Sequence, residues 1–205
     1  KTYEDWIKPC IVENTMALLD KELPAFKDKI NILHLCFTTD PFMYQNEAIQ
    51  NLSTAILRKA NDHGIRCSVL TKGILPEELS VLSKENQYGI TVVSLDDGFT
   101  KEYEPGASPI SDRITALRRL HDAGCYTWVS IEPYPTPNII TQSLADILEA
   151  VSFVDKIIFG RLHYNKVVSE YKEHKSFYND CAHQVESFCV QKGIAYHIKK
   201  GTLTE

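Results

Sequence analysis

Apolar residues in this chain fall into two alternating kinds of segment. The first kind is compact and nearly all apolar. Ile32-Leu33-His34-Leu35-Cys36-Phe37, within 31–38, is the clearest; 65–70, 90–93, 125–131, 156–159 and 194–198 repeat the pattern. Runs of that length without polar alternation fit strands buried on both faces, as in a parallel sheet covered by helices. The second kind spaces its apolar residues helically. Examples are Met16, Leu19 and Leu23, then Ile49, Leu52, Ile56 and Ala60, then Leu79 and Leu82. Ile114, Leu117 and Leu120 follow, then Leu144, Leu148 and Val151, and last Phe177, Cys181, Val185 and Phe188 over 175–191. Residues 1–13 read as irregular. Asn14, Asn46 and Thr141 are the expected helix caps, and Pro24, Gly64 and Gly124 the expected stops. Pro76 and Pro109 sit where a first helical turn begins, and 97–108 reads as loop.

Strand and helix thus alternate from end to end. That order favours parallel strands joined by right-handed crossovers, in a barrel or a doubly wound sheet. No G-x-G-x-x-G follows any strand, which weighs against a dinucleotide fold. Instead nearly every strand ends in polar residues: Thr38, Thr39 and Asp40; Thr71 and Lys72; Ser94; Glu132; Arg161 and His163; Lys199. Polar groups focused from several strand ends suit the mouth of a β/α barrel. Strand ends also turn polar simply because they meet water. Lys72 and Glu132 stand out, each between an apolar run and a turn residue. His34 and His197, mid-strand, read as core. Residues 1–205 read as a single domain, with no linker or low-complexity tract.

Composition narrows the classes. The 205 residues are 43% apolar and 24% charged, ordinary for a globular protein. A net charge of −5 gives no general reason to expect nucleic acid. No apolar run is long enough to span a bilayer. The six cysteines, at 10, 36, 67, 125, 181 and 189, match no zinc or disulfide spacing and read as reduced cytoplasmic thiols, mostly in the core.

Taken in order, the strand-end motifs resemble a known family. Thr39-Asp40-Pro41, Thr71-Lys72, Ser94, Glu104-Pro105-Gly106-Ala107-Ser108-Pro109, Arg113 and Glu132-Pro133 look like a radical S-adenosylmethionine (SAM) protein of the spore photoproduct lyase-like branch. Lys8-Pro9, Glu13-Asn14 and Lys21-Glu22-Leu23 are similar to the segment that follows that family's cluster loop. The resemblance implies a partial (β/α)6 TIM-type barrel. It also implies SAM and a [4Fe–4S] cluster as cofactors, an electron donor such as flavodoxin or ferredoxin, and a radical that abstracts hydrogen from a substrate not readable here. By the same resemblance Thr38, Thr39 and Asp40 match the segment that meets the SAM amino group. Lys72 and Ser94 match positions that hold its carboxylate, and Glu132 and Arg161 fall where ribose or adenine contacts are expected.

The chain departs from the family in one respect: it has no C-x-x-x-C-x-x-C. The resemblance therefore implies a first strand and cluster loop before Lys1, with no metal ligands in this chain. A further departure is Phe37, at the place where spore photoproduct lyases carry a hydrogen-donating Cys, which points to another substrate. Two other readings stay open. One is a degenerate, non-catalytic β/α barrel that binds a nucleotide or a protein. The other is a barrel hydrolase or isomerase using Lys72, Glu132 and His163.

Overall fold

Six parallel strands follow chain order across one sheet in the computed structural model, which describes residues 8–35 and 38–204. They are β1 (Leu33–Leu35), β2 (Cys67–Thr71), β3 (Gln87–Thr91), β4 (Tyr126–Tyr134), β5 (Lys156–Arg161) and β6 (Ala195–Ile198). Each pairs in parallel with the next. β1 and β6 each pair on one side only among the described residues, so the arc is open, a partial barrel. Helix α1 (Thr15–Phe26) precedes the sheet, and α2 (Glu47–Asp62) links β1 to β2. A 3-10 turn (Glu77–Val81) links β2 to β3; α3 (Asp97–Tyr103) and α4 (Ile110–Asp122) link β3 to β4. The remaining crossovers carry α5 (Leu144–Ala150), then α6 (Lys166–Glu170) and α7 (His174–Lys192). The expected α/β partial barrel is therefore the observed fold.

Successive strand residues face opposite sides of the sheet. One side packs on the helices: Val69, Tyr88, Ile90, Val129, Ile157 and Phe159 are all 0% exposed. Each such aliphatic side chain contributes about 1.5–3 kcal/mol on burial. Tyr88 keeps its hydroxyl satisfied there by donating to the Leu79 carbonyl at 3.1 Å. The other side lines the lumen. Gly89 lies in register with Trp128. A Cβ at position 89 would stand 2.3 Å from the indole, so only glycine admits the ring. Trp128, 7% exposed, thereby fills the lower lumen. Two pleats further along β4, Glu132 lies against Gly160 and is paired with Lys199 at 3.2 Å.

Several boundaries differ from the sequence reading. β1 covers only Leu33–Leu35; Cys36 and Phe37 lie outside the described residues. β3 starts at Gln87 and ends at Thr91 rather than spanning 90–93, because Tyr88 behaves as a buried apolar residue whose hydroxyl is already bonded. Pro24 does not stop α1, which runs on to Phe26; only the hydrogen bond its missing N–H would make is lost. Pro76 opens a 3-10 turn, not an α-helix. Within 97–108, Asp96 accepts from the Phe99 N–H at 2.7 Å and starts α3 where loop was expected. Ser143, not Thr141, caps α5, and Asn165 caps the unexpected α6. In α2 the buried residues are Ser53, Thr54, Leu57 and Ala60, while Ile49, Leu52 and Ile56 line a cavity beside residues 9–12. His197 is exposed rather than core, since β6 is an edge strand covered by little. Cys67, Cys125, Cys181 and Cys189 are buried free thiols, and Cys10 is exposed.

Candidate functional site

All six strands point their C-terminal ends the same way, so the polar residues that follow them share one rim. On the β2 side of that rim the side chains converge on Lys72. Its backbone N–H donates to Asp40 Oδ2 at 2.7 Å. Asp40 Oδ1 accepts from Thr71 Oγ1 at 2.5 Å and from the Phe42 N–H at 2.9 Å. Both carboxylate oxygens are thus used to join the loop after β1 to the end of β2. Gly73 completes the join: a Cβ there would come within 1.7 Å of the Phe42 carbonyl oxygen.

The other side of Lys72 is held by the turn after α3. Ser108 donates to the Lys72 carbonyl through both its N–H (2.9 Å) and its hydroxyl (3.1 Å). The Lys72 ammonium lies 2.9 Å from Glu104 Oε1. That oxygen is sealed from water and has no aligned donor, so the contact is ionic rather than a directed hydrogen bond. Behind it sits Arg113, 0% exposed. Its guanidinium donates to the Thr91 carbonyl at 2.5 Å, the Ser108 carbonyl at 2.9 Å and Glu104 Oε2 at 3.4 Å. Burial pushes the Arg113 pKa down, and Glu104 with Asp40 pulls against that. A buried cation, a buried carboxylate and a half-exposed ammonium therefore form one row ending at the rim. This row fixes a positive charge in place, which suits binding an anionic ligand group.

Lys72 and Glu104 also line a cavity of about 170 Å3 with Val93, Phe99, Tyr103 and Pro133 among its walls. Phe99 and Tyr103 stack there, ring centroids 4.6 Å apart. Larger hollows exist; one of about 470 Å3 is lined by Tyr44 and residues within 97–109 without Lys72.

The remaining expected residues are distributed around the rim. Thr38 and Thr39 are exposed just before Asp40. Ser94 is buried, its hydroxyl accepting from the Asp96 N–H at 3.0 Å, and it borders a separate cavity with Gln142 and Ser143. Glu132 is tied to Lys199 inside the lumen. Arg161 and His163 meet on the far side, where Arg161 Nε donates to His163 Nδ1 at 3.2 Å. The structure thus brings Asp40 and Lys72 together, and sets Ser94, Glu132 and Arg161 apart from them. Glu104, Ser108 and Arg113 were visible in sequence only as motif letters, and Trp128 gave no signal at all.

Burial pushes Cys67 and Cys181 up to about 12 and Cys189 up to about 11, so these thiols stay protonated. Among the described residues no group of three or more His, Cys, Asp or Glu could hold a metal ion. No helix among them is long and apolar enough to cross a membrane.

No family model matches the chain. Among curated proteins it is similar to the uncharacterized protein ORF301 of Acidianus two-tailed virus, 27% identical over 163 residues. That match covers 75% of this chain and 53% of the relative, so the chain spans about half the length of the curated relative it matches. Among solved structures, SuiB of Streptococcus suis superposes with a TM-score of 0.60 at 16% identity, over 88% of this chain and 42% of that one. A spore photoproduct lyase variant with bound AdoMet and dinucleoside spore photoproduct gives a TM-score of 0.60 at 15% identity, over 91% and 65%. At such identities the likeness shows the fold alone: the open parallel arc is shared with SuiB and with spore photoproduct lyase. The partial barrel that the strand-end motifs implied is borne out as a fold.

Proposed function

We propose that this chain forms the SAM-binding barrel of a radical SAM enzyme. The observation that carries this reading is the row Arg113–Glu104–Lys72, which presents one fixed ammonium at the rim. In the reading, Lys72 holds the SAM carboxylate and Thr38 and Thr39 face its amino group, while Ser94, expected beside Lys72 from the resemblance, borders a neighbouring cavity instead. Asp40 acts one step back, locking the loop that carries those threonines onto Lys72. The apolar cavity with Phe99 and Tyr103 receives the adjoining part of the ligand, and Glu132 and Arg161 complete the rim. Structures of SuiB and of spore photoproduct lyase with S-adenosylmethionine bound support the choice of ligand.

When bound at a [4Fe–4S] cluster, SAM supplies a deoxyadenosyl radical that abstracts hydrogen from a substrate. The cluster's thiolates come, in this proposal, from outside the described residues, and its electron from a donor such as flavodoxin or ferredoxin in the cytoplasm. Here the chain's own residues orient the ligand and shield it from water. The test uses a chain extended upstream through its cluster cysteines, with iron content measured beside SAM calorimetry. Lys72→Ala is expected to weaken SAM binding by about 1.5–3 kcal/mol, the range of one charge-assisted contact, with iron unchanged. Wild-type affinity in that variant removes Lys72 from the site. An extended chain that binds no iron favours a barrel that binds nucleotides or proteins without catalysis.

A further inference from the structure

The far side of the rim holds a small polar cavity of about 90 Å3, lined by Arg161, His163, Asn165, Ser169, His174 and Tyr178 among others. No carboxylate lines it, although the chain as a whole carries a net charge of −5. Arg161 ends β5, three strands along the sheet from β2 and Lys72, and His163 follows two residues later; Leu162 and Asn165 line both this cavity and the one beside Lys72.

The hydrogen bonds here are incomplete in one direction. Arg161 can only donate, so its 3.2 Å contact makes His163 Nδ1 the acceptor and leaves the ring proton on Nε2. That contact uses Arg161 Nε alone. Both terminal guanidinium nitrogens lack a hydrogen-bond or ion-pair partner among the described residues. His174 donates its Nδ1–H to the Tyr171 carbonyl at 2.8 Å, which leaves Nε2 of the neutral ring an acceptor, so His174 lines the cavity without offering it a proton. The polar groups beside them are already satisfied. Tyr178 donates to the Tyr134 carbonyl at 2.8 Å, Asn165 accepts from the Val168 N–H at 3.2 Å, and Ser169 donates to the Asn165 carbonyl at 3.1 Å. What remains is a planar fork and an imidazole N–H, held by fixed neighbours and short of acceptors. Such a fork matches the two oxygens of a phosphate or carboxylate.

We infer that Arg161 and His163 form an oxyanion site, walled by His174, that anchors a phosphate or carboxylate group of the substrate. The inference rests on the proposed function in assigning the Lys72 side of the rim to SAM, and it moves Arg161 from the ribose to the substrate. One side of the rim then holds the cofactor's anionic end and the other the substrate's. A volume near 90 Å3 admits one oxyanion with a few waters and no larger group.

The test is titration of this chain with inorganic phosphate and, separately, with acetate, followed by calorimetry and by the ring C–H resonances of assigned histidines. Saturable binding of either anion that shifts His163 and His174 is expected, and the preferred anion tells which group the substrate carries. Arg161→Gln should weaken it at least tenfold, and Arg161→Lys, which keeps the charge without the fork, by less. Lys72→Ala should weaken SAM binding while the anion-dependent shift of the His163 ring persists, which separates the two readings. Absence of saturable binding by both anions, or equal affinity in Arg161→Gln, overturns the assignment. Loss of SAM binding alone leaves it standing.

Discussion

The two sides of the rim solve opposite problems. Around Lys72 the protein's own groups satisfy nearly everything: Asp40 holds the backbone N–H, Ser108 the carbonyl and Glu104 the ammonium, with Arg113 buried behind. Around Arg161 a single contact fixes the guanidinium and leaves its terminal nitrogens open. The first arrangement is rigid before any ligand arrives, because removing one member strands a buried charge. The second is inexpensive to disturb, because its charge meets water. The contrast teaches that a site's cost to stability depends on burial, while its capacity to bind depends on what is left unpaired.

The sharpest way to break the comparison is Arg113→Met. It leaves Glu104 buried with only the half-exposed Lys72 opposite, and breaking a buried pair in this way costs about 3–5 kcal/mol. Denaturant unfolding should show that loss, and a shift below 1 kcal/mol would mean that Glu104 takes up a proton or finds another partner. Next comes Gly73→Ala. The Phe42 carbonyl must move to admit the methyl group, so a loss of about 1–3 kcal/mol is expected, as for other overpacked sites. Thermal unfolding measures it, and unchanged stability would show that the two loops are not tightly joined. The smallest effect belongs to the other side. Arg161→Gln should change stability by no more than about 0.5 kcal/mol, like other substitutions at partly exposed sites that strand no buried group. A larger loss would make Arg161 a structural residue and erase the difference between the two sides.

How far this could be read in advance also differs between the sides. The alternation of apolar runs and helical stripes is local, so the six strands and most helices were legible. Lys72 was legible because it ends an apolar run. Its clamp was not, because Asp40 approaches it from the β1–β2 crossover and Glu104 with Arg113 from the β3–β4 crossover, and nothing in their spacing says so. Short caps misled by a residue or two: Ser143 and Thr141 are equally good N-caps, and only packing chose between them. Trp128 and Gly89 illustrate the limit. Each looks ordinary in its own strand, and only the register of β3 against β4 reveals that one exists for the other.

That pair sets a depth. Trp128 floors the lumen four residues below Glu132, which at the rise of a strand is roughly 13 Å. Whatever enters from the rim therefore meets an indole at a fixed distance. A ligand that reaches only to Glu132 leaves the emission of Trp128 nearly unchanged, while one that descends to the floor alters it. With Trp6, the chain's other tryptophan, replaced by Phe, the barrel carries its own ruler, legible by fluorescence without any label.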